Sequence, residues 1–321
     1  MSITITGTGS SLPPLSVTNH DLSEILDTSH EWIESRTGIE SRHICEHGLT
    51  QTAAEAGANA LKNAGRAADE LDYILCATMS ADYVTPALAC LVQQELGASC
   101  PALDINAACS GFIYGLDMAR ALIASGRAKR ILLIAAESMS RTVDWTKREV
   151  SVLFGDGAGA VVVEEGDDLL ALRVGAVGRA EPLYMRRQAS NCPYGSAEAD
   201  DEDGYLHMDG REIYRFAVGA MVKDILSVLD DAGISPEQVD YVLPHQANLR
   251  ILEAAAKKLP IAPEKFLNNM RHTGNTSAAS IPILLDEACR AGTIRAGQIL
   301  VMSAFGAGLT TGACIIKWSK D

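Results

Sequence analysis

Short apolar runs bounded by charged or turn residues alternate along this chain with stretches whose apolar residues recur every three or four positions, the pattern of an α/β protein. Phe112, Leu116, Ala119, Leu122 and Ile123 lie at helical spacing, and Gly126 stands where such a helix would stop. The longest purely apolar run, Ile131 to Ala136, is far shorter than the roughly 20 residues that a membrane span needs.

The pattern repeats. AGRAADELDYIL from Ala64 and AGISPEQVDYVL from Ala232 are separated by 168 positions, and so are RAKRILLIAA from Arg127 and RAGQILVMSA from Arg295. A register kept across both pairs marks two copies of one α/β unit, residues 1–165 and 166–321, related by a pseudo-twofold axis. Within each copy a helix ending at Ala-Gly leads to Asp-Tyr and a short strand, which predicts a mostly parallel sheet with helices on both faces. The run EADDEDG from Glu198 to Gly204 reads as a solvated acidic loop.

Composition narrows the chemistry. With 47% hydrophobic and 21% charged residues the chain is an ordinary globular protein, and a net charge of −14 disfavours non-specific nucleic-acid binding. The amino-terminal residues lack a basic segment followed by an apolar core, so a cytoplasmic location is expected. Eight cysteines without C-x-x-C spacing point to free thiols. The glycine-rich stretches at Gly7 and Phe154 do not fit a dinucleotide fingerprint, and there is no P-loop, G-x-S-x-G or H-E-x-x-H.

Three residues remain as candidates for catalysis. Cys109 follows a strand-like run and opens the helix that contains Phe112, where unpaired N–H groups and the helix dipole favour a thiolate. An isolated cysteine in apolar surroundings is equally a core residue, so its companions matter. His245 follows the strand DYVLP, and Asn275 lies in RHTGNTSAAS before a helical stretch. The 168 offset maps them onto Ala77 and Ala107, in loops after strands, where open α/β sheets bind ligands.

The motifs DTSHEWIESRTGI near Asp27, AACSGF around Cys109, FGDGAGA at Phe154, PHQANLRI at Pro244, HTGNTSAAS at His272 and AFGAGLTTG at Ala304 together resemble the β-ketoacyl-acyl carrier protein synthase III family, over essentially the whole chain. The resemblance implies a five-layered αβαβα thiolase fold and a homodimer without metal or redox cofactor. It implies that Cys109 is acylated by an acyl-coenzyme A (acyl-CoA), and that His245 and Asn275 stabilise the enolate formed as malonyl-acyl carrier protein loses carbon dioxide. The backbone N–H groups of Cys109 and Ala307 would meet the oxyanion, with alanine where the family usually has glycine. Thr28, Trp32, Arg36 and Arg148 match coenzyme-binding positions, although Glu149 and Arg211 replace smaller residues beside that channel. Arg250, Lys257 and Lys258, on the helix expected after PHQAN, and Arg215 match the carrier-protein docking patch. Thr85 stands where short-chain-specific members often carry phenylalanine in the partner's acyl pocket, which implies tolerance of primers longer than acetyl. Two alternatives stay open: a related condensing enzyme of secondary metabolism, and a catalytically silent carrier-protein-binding partner.

Overall fold

The computed structural model describes residues 2–186 and 204–320, so the acidic run from Glu198 lies outside them apart from Gly204. One sheet runs, edge to edge, through the strands Ser2–Ser11, Asp156–Gly166, Arg130–Ser138, Tyr73–Ala77 and Ala102–Ile105. The other runs through Leu169–Arg179, Gly308–Lys317, Ile299–Gly306 and Tyr241–Pro244, and a single parallel bridge from Val242 to Phe266 occupies the place that Ala102–Ile105 fills in the first. Each sheet is mixed rather than mostly parallel. On one side of each sheet the strands pair in parallel, whereas on the other Asp156–Gly166 or Gly308–Lys317 runs opposite to both of its neighbours.

The repeated Asp-Tyr pair has a physical role. Asp72 Oδ2 accepts the N–H groups of Lys129 and Arg130 at 2.7 and 2.9 Å, and Asp240 Oδ2 accepts that of Ile299 at 2.7 Å. Each aspartate thereby ties the start of its strand to the start of the neighbouring one.

The helices Gly111–Ala124 and Ser280–Arg290 lie between the two sheets and share a core in which Phe112, Leu116, Ile281 and Leu285 are buried. Thr50–Ala64 and Leu88–Leu96 cover the outer face of the first sheet, and Gly210–Ala232 with Leu249–Ala256 covers that of the second. These are the five layers αβαβα. Gly126, with φ of 73°, lies just beyond the end of its helix, as the spacing predicts. A smaller apolar cluster containing Leu22, Ile33, Val143, Val152, Phe154 and Leu206 forms a cap over one end of the sandwich.

Layer contact is close enough to dictate residue size. The glycine-rich segment at Gly7 is not a phosphate loop but part of the strand Ser2–Ser11, pressed against the helix Thr50–Ala64. A Cβ on Gly9 would lie 2.3 Å from Ala60 N and 2.5 Å from Ala56 O, both backbone atoms that cannot swing away. Gly178 meets nothing within 4 Å. Gly9→Ala is therefore expected to cost about 3 kcal/mol and lower the thermal unfolding midpoint by several degrees, while Gly178→Ala stays within about 0.5 kcal/mol of the parent. Equal midpoints for the two variants would contradict this account of the packing.

Candidate active site

Two short turns build the floor of the site. After the strand Ala102–Ile105 the chain passes through Asn106 into a 3₁₀ turn, Ala108–Ser110, and on into the helix Gly111–Ala124. Asn106 Oδ1 accepts the N–H of Ala108 at 3.2 Å, and Ala108 takes φ of 46°. In the second half Asn275 Oδ1 accepts the N–H of Ser277 at 2.9 Å, and Ser277 takes φ of 50° before the helix Ser280–Arg290. The matching pairs are Asn106 with Asn275 and Ala108 with Ser277, so the local offset is 169. Sequence arithmetic with 168 paired Asn275 with Ala107 and is corrected by one residue. Non-glycine residues tolerate the left-handed region poorly, and the asparagine carbonyl that takes up each turn's N–H helps hold both turns there.

Cys109 sits at the first turn, half-buried. The Ser277 hydroxyl lies 3.4 Å from its sulfur, and a Cβ on Gly306 would come within 2.7 Å of its backbone N. Thr310 Oγ1 lies 3.0 Å from the carbonyls of both Ala107 and Ala307, which ties the Ala307 segment to the cysteine turn. Helix-terminus stabilisation led the sequence reading to a thiolate-favouring site. Burial, joined by the Glu137 charge, pushes the Cys109 thiol up to about 12, while the Ser277 hydroxyl and the residue's own N–H act in the opposite direction.

His245 follows the strand Tyr241–Pro244, is 1% exposed and stands edge-on to Phe305 with ring centroids 5.3 Å apart. Its Nδ1 is 2.8 Å from Ser280 Oγ, which also accepts the Gln246 N–H at 3.3 Å and lies 2.9 Å from the Ser277 carbonyl. With Nδ1 engaged, Nε2 is the ring nitrogen left for a ligand. Burial lowers the pKa of His245 to about 3, partly offset by the Ser277 carbonyl, so the imidazole is neutral at physiological pH. Asn275 is bonded into the cap loop: its N–H donates to Leu153 O at 2.9 Å and its carbonyl accepts the Gly155 N–H at 3.1 Å.

Cys109, His245, Asn275 and Ala307 line one cavity of about 620 Å³, roofed by Met79, Val152, Leu183, Leu206 and Met208. Trp32, Arg36, Arg211, Arg215 and Arg250 also line it. The Trp32 ring has the Arg36 guanidinium 4.4 Å and the Arg148 guanidinium 4.9 Å from its centroid. Arg148 donates to the Asp27 carbonyl, and its guanidinium lies 3.5 Å from the Asp27 carboxylate and 3.7 Å from that of Glu149. Thr28 Oγ1 is buried without a partner.

Other expectations need correction or relocation. The helix after PHQAN spans Leu249–Ala256; Lys257 is its C-cap and Lys258 lies beyond it, both exposed and neither among the cavity-lining residues. Thr85 is exposed between Val84 and Pro86 and does not line its own chain's cavity. Sequence reasoning missed Glu137, Ser277 and Ser280. The mark of Glu137 was a carboxylate directly after the longest apolar run, inside a strand buried along nearly its whole length.

Comparison with known proteins bears on the chain as a whole. Family models described as 3-oxoacyl-[acyl-carrier-protein] synthase III and its C-terminal part match residues 103–178 and 229–318. A β-ketoacyl-[acyl-carrier-protein] synthase III of Aquifex aeolicus is 47% identical over 323 residues, covering 99% of this chain and 100% of the relative. The crystal structure of a 3-oxoacyl-[acyl-carrier-protein] synthase III from Aquifex aeolicus superposes with a TM-score of 0.91 at 46% identity, covering 99% of this chain and 100% of that one. The priming β-ketosynthase of the R1128 polyketide pathway superposes with a TM-score of 0.92 at 33% identity, covering 99% and 97%. With near-complete coverage at this identity, the chain belongs to the 3-oxoacyl-[acyl-carrier-protein] synthase III family.

Proposed function

We propose that this protein condenses an acyl-CoA primer with malonyl-acyl carrier protein, giving 3-oxoacyl-acyl carrier protein, coenzyme A and carbon dioxide, the first condensation of fatty-acid synthesis. The observation that carries this reading is the convergence of Cys109, His245 and Asn275, from three separate loops, on one cavity. In this reading residues 1–165 supply the nucleophile, and residues 166–321 supply the two side chains that meet the enolate.

Cys109 sulfur attacks the primer's thioester carbon, and the backbone N–H groups of Cys109 and Ala307 receive the oxyanion as the coenzyme thiolate departs. Malonyl-acyl carrier protein then replaces the coenzyme. Asn275, whose Oδ1 is held by Ser277, offers its amide N–H groups to the malonyl thioester carbonyl. His245 joins it when the Ser280 hydroxyl turns its proton to Nδ1, which places the ring proton on Nε2. As carbon dioxide leaves, both donors hold the enolate oxygen, and the enolate carbon attacks the acyl group on Cys109. The electrons come from the departing carboxylate, so the reading assigns no metal or redox cofactor.

Thr28, Trp32, Arg36 and Arg148 form the coenzyme end of the channel in this reading, with a guanidinium displaced from Trp32 when adenine stacks there. Arg215, Arg250, Lys257 and Lys258 are assigned to carrier-protein docking, a basic rim on a chain of net charge −14 that would steer an acidic partner. A homodimer is part of the proposal, supported by the open edge at Ala102–Ile105 and the nearby exposed Tyr83 and Val84. So is a cytoplasmic location; among the described residues no helix is long and apolar enough to cross a membrane. The likeness to the R1128 enzyme favours one second reading, priming of a secondary-metabolite chain, which an acceptor screen separates from the first.

Brief incubation with a panel of acyl-CoA thioesters should add the acyl mass to the intact protein but not to Cys109→Ser; absence of any adduct would favour a silent carrier-protein-binding partner. His245→Ala and Asn275→Ala should still become acylated yet release carbon dioxide from malonyl-acyl carrier protein about 10²- to 10³-fold more slowly. Turnover with dodecanoyl-CoA should be measurable beside that with acetyl-CoA, because Thr85 leaves the partner's pocket open; strict acetyl preference would overturn that role.

A further inference from the structure

The site just described lacks an evident base for its nucleophile. Burial raises the Cys109 thiol to about 12 and leaves His245 a neutral, weakly basic imidazole, lowered to about 3. A third buried ionisable group stands close by. Glu137, at the carboxyl end of the strand Arg130–Ser138, is wholly buried, and no lysine or arginine among the described residues pairs with it. Its Oε2 accepts the Ser80 hydroxyl at 2.5 Å and the Met79 N–H at 3.1 Å. Its Oε1 lies 3.0 Å from Ser277 Oγ, the same hydroxyl oxygen that is 3.4 Å from Cys109 Sγ.

Ser277 has one hydroxyl proton and two neighbours that can take it. When that proton points to the Glu137 carboxylate, the serine oxygen is free to accept the Cys109 S–H. When it points to sulfur, the oxygen is free to accept a proton from the Glu137 carboxylic acid. We propose that Glu137, acting through the Ser277 hydroxyl, is the proton acceptor that converts the Cys109 thiol into its nucleophilic thiolate. The Cys109 S–H bond breaks, its proton passes to Ser277 Oγ, and the serine's own proton passes to Glu137 Oε1. A thiol and a carboxylate become a thiolate and a carboxylic acid, with the pocket's net charge unchanged. That conservation is what a desolvated site requires, since neither ionisation adds a charge to it. During acylation the stored proton returns through Ser277 to the departing thiolate of the thioester, and the relay is reset.

The surroundings support this assignment. Burial lifts the Glu137 carboxyl to about 7, opposed by its bonds from Ser80, Met79, Ser277 and the Ala278 N–H, which puts it near the pH at which a general base works best. The other titratable groups facing it are few: Cys109 across the serine and Cys76 on the adjoining strand. Asp156, on the strand on the other side, is engaged by Ser138, Ser140 and the Cys45 N–H. Ser277 holds its place through the left-handed turn, so its hydroxyl is fixed between the two ends of the relay.

This inference rests on Cys109 being the acylated thiol, and its test avoids acyl-CoA so that either can fail alone. Alkylation of Cys109 by iodoacetamide is followed by the mass of the peptide that carries it, which leaves out the exposed Cys90, from about pH 5.5 to 9.5. As pH rises through the Glu137 pKa the carboxyl loses its proton and becomes able to accept one, so the rate for the parent protein should rise near pH 7 and then level off. Glu137→Gln removes the acceptor and Ser277→Ala removes the link; each should abolish that inflection and slow alkylation at about pH 8 by about 10²-fold. The double variant should be no slower than either single one. Ala108 already holds the equivalent left-handed turn as alanine, so Ser277→Ala has a precedent within the fold. If Glu137 were only a nearby negative charge raising the thiol pKa, Glu137→Gln would speed alkylation instead. Faster alkylation, an inflection that survives in either variant, or additive losses in the double variant would each overturn the relay.

Discussion

The close approach of the two central turns is the constraint on which the rest of the site depends. A Cβ on Gly111 would lie 2.9 Å from the Ala77 Cβ and 3.4 Å from the Ala278 Cβ, and one on Gly306 would strike the Cys109 backbone. Small residues are required where the amino-terminal ends of the two buried helices meet, which gives AACSG in one half and TSAAS in the other their physical reason. Small residues at this junction let the Cys109 thiol stand within reach of the Ser277 hydroxyl.

The same closeness governs the electrostatics. Desolvation acts on every ionisable group at the junction and favours the uncharged form: the thiol and the Glu137 carboxyl are pushed up, and the imidazole is pushed down. The serine hydroxyls between these groups carry one proton each and have more than one acceptor in reach. Protonation at this site is therefore a property of the cluster rather than of any single residue.

Cap and sandwich are joined at Asn275. Arg42, fully buried, donates to Asn19 Oδ1 at 2.9 Å and to the Val152 carbonyl at 2.8 Å, and its Cβ packs against the Gly274 position. Leu153 and Gly155 bond in turn to the Asn275 backbone. A guanidinium lowered to about 10 by burial, with the Asp21 charge opposing, thus couples the roof of the cavity to the Asn275 loop.

Much was legible in the sequence because it depends on local chemistry or on the repeat. The strand and helix order, the glycine stop at Gly126, the repeated Asp-Tyr and the motifs around Cys109, His245 and Asn275 each follow from residues close together in the chain. The antiparallel outer strands were not legible, since pairing direction depends on where the chain returns. Nor was the 169 register at the two turns, because insertions and deletions between the repeated blocks cancel and leave the flanking 168 register intact. The sequence by itself singled out Cys109, His245 and Asn275 as candidates and set each of them in a loop of a repeated α/β pattern. Only the tertiary structure decided how far those residues are desolvated and which hydroxyl bridges them, because burial and hydrogen-bond geometry arise from segments as distant as Cys109, Glu137 and Ser277 packed into one place.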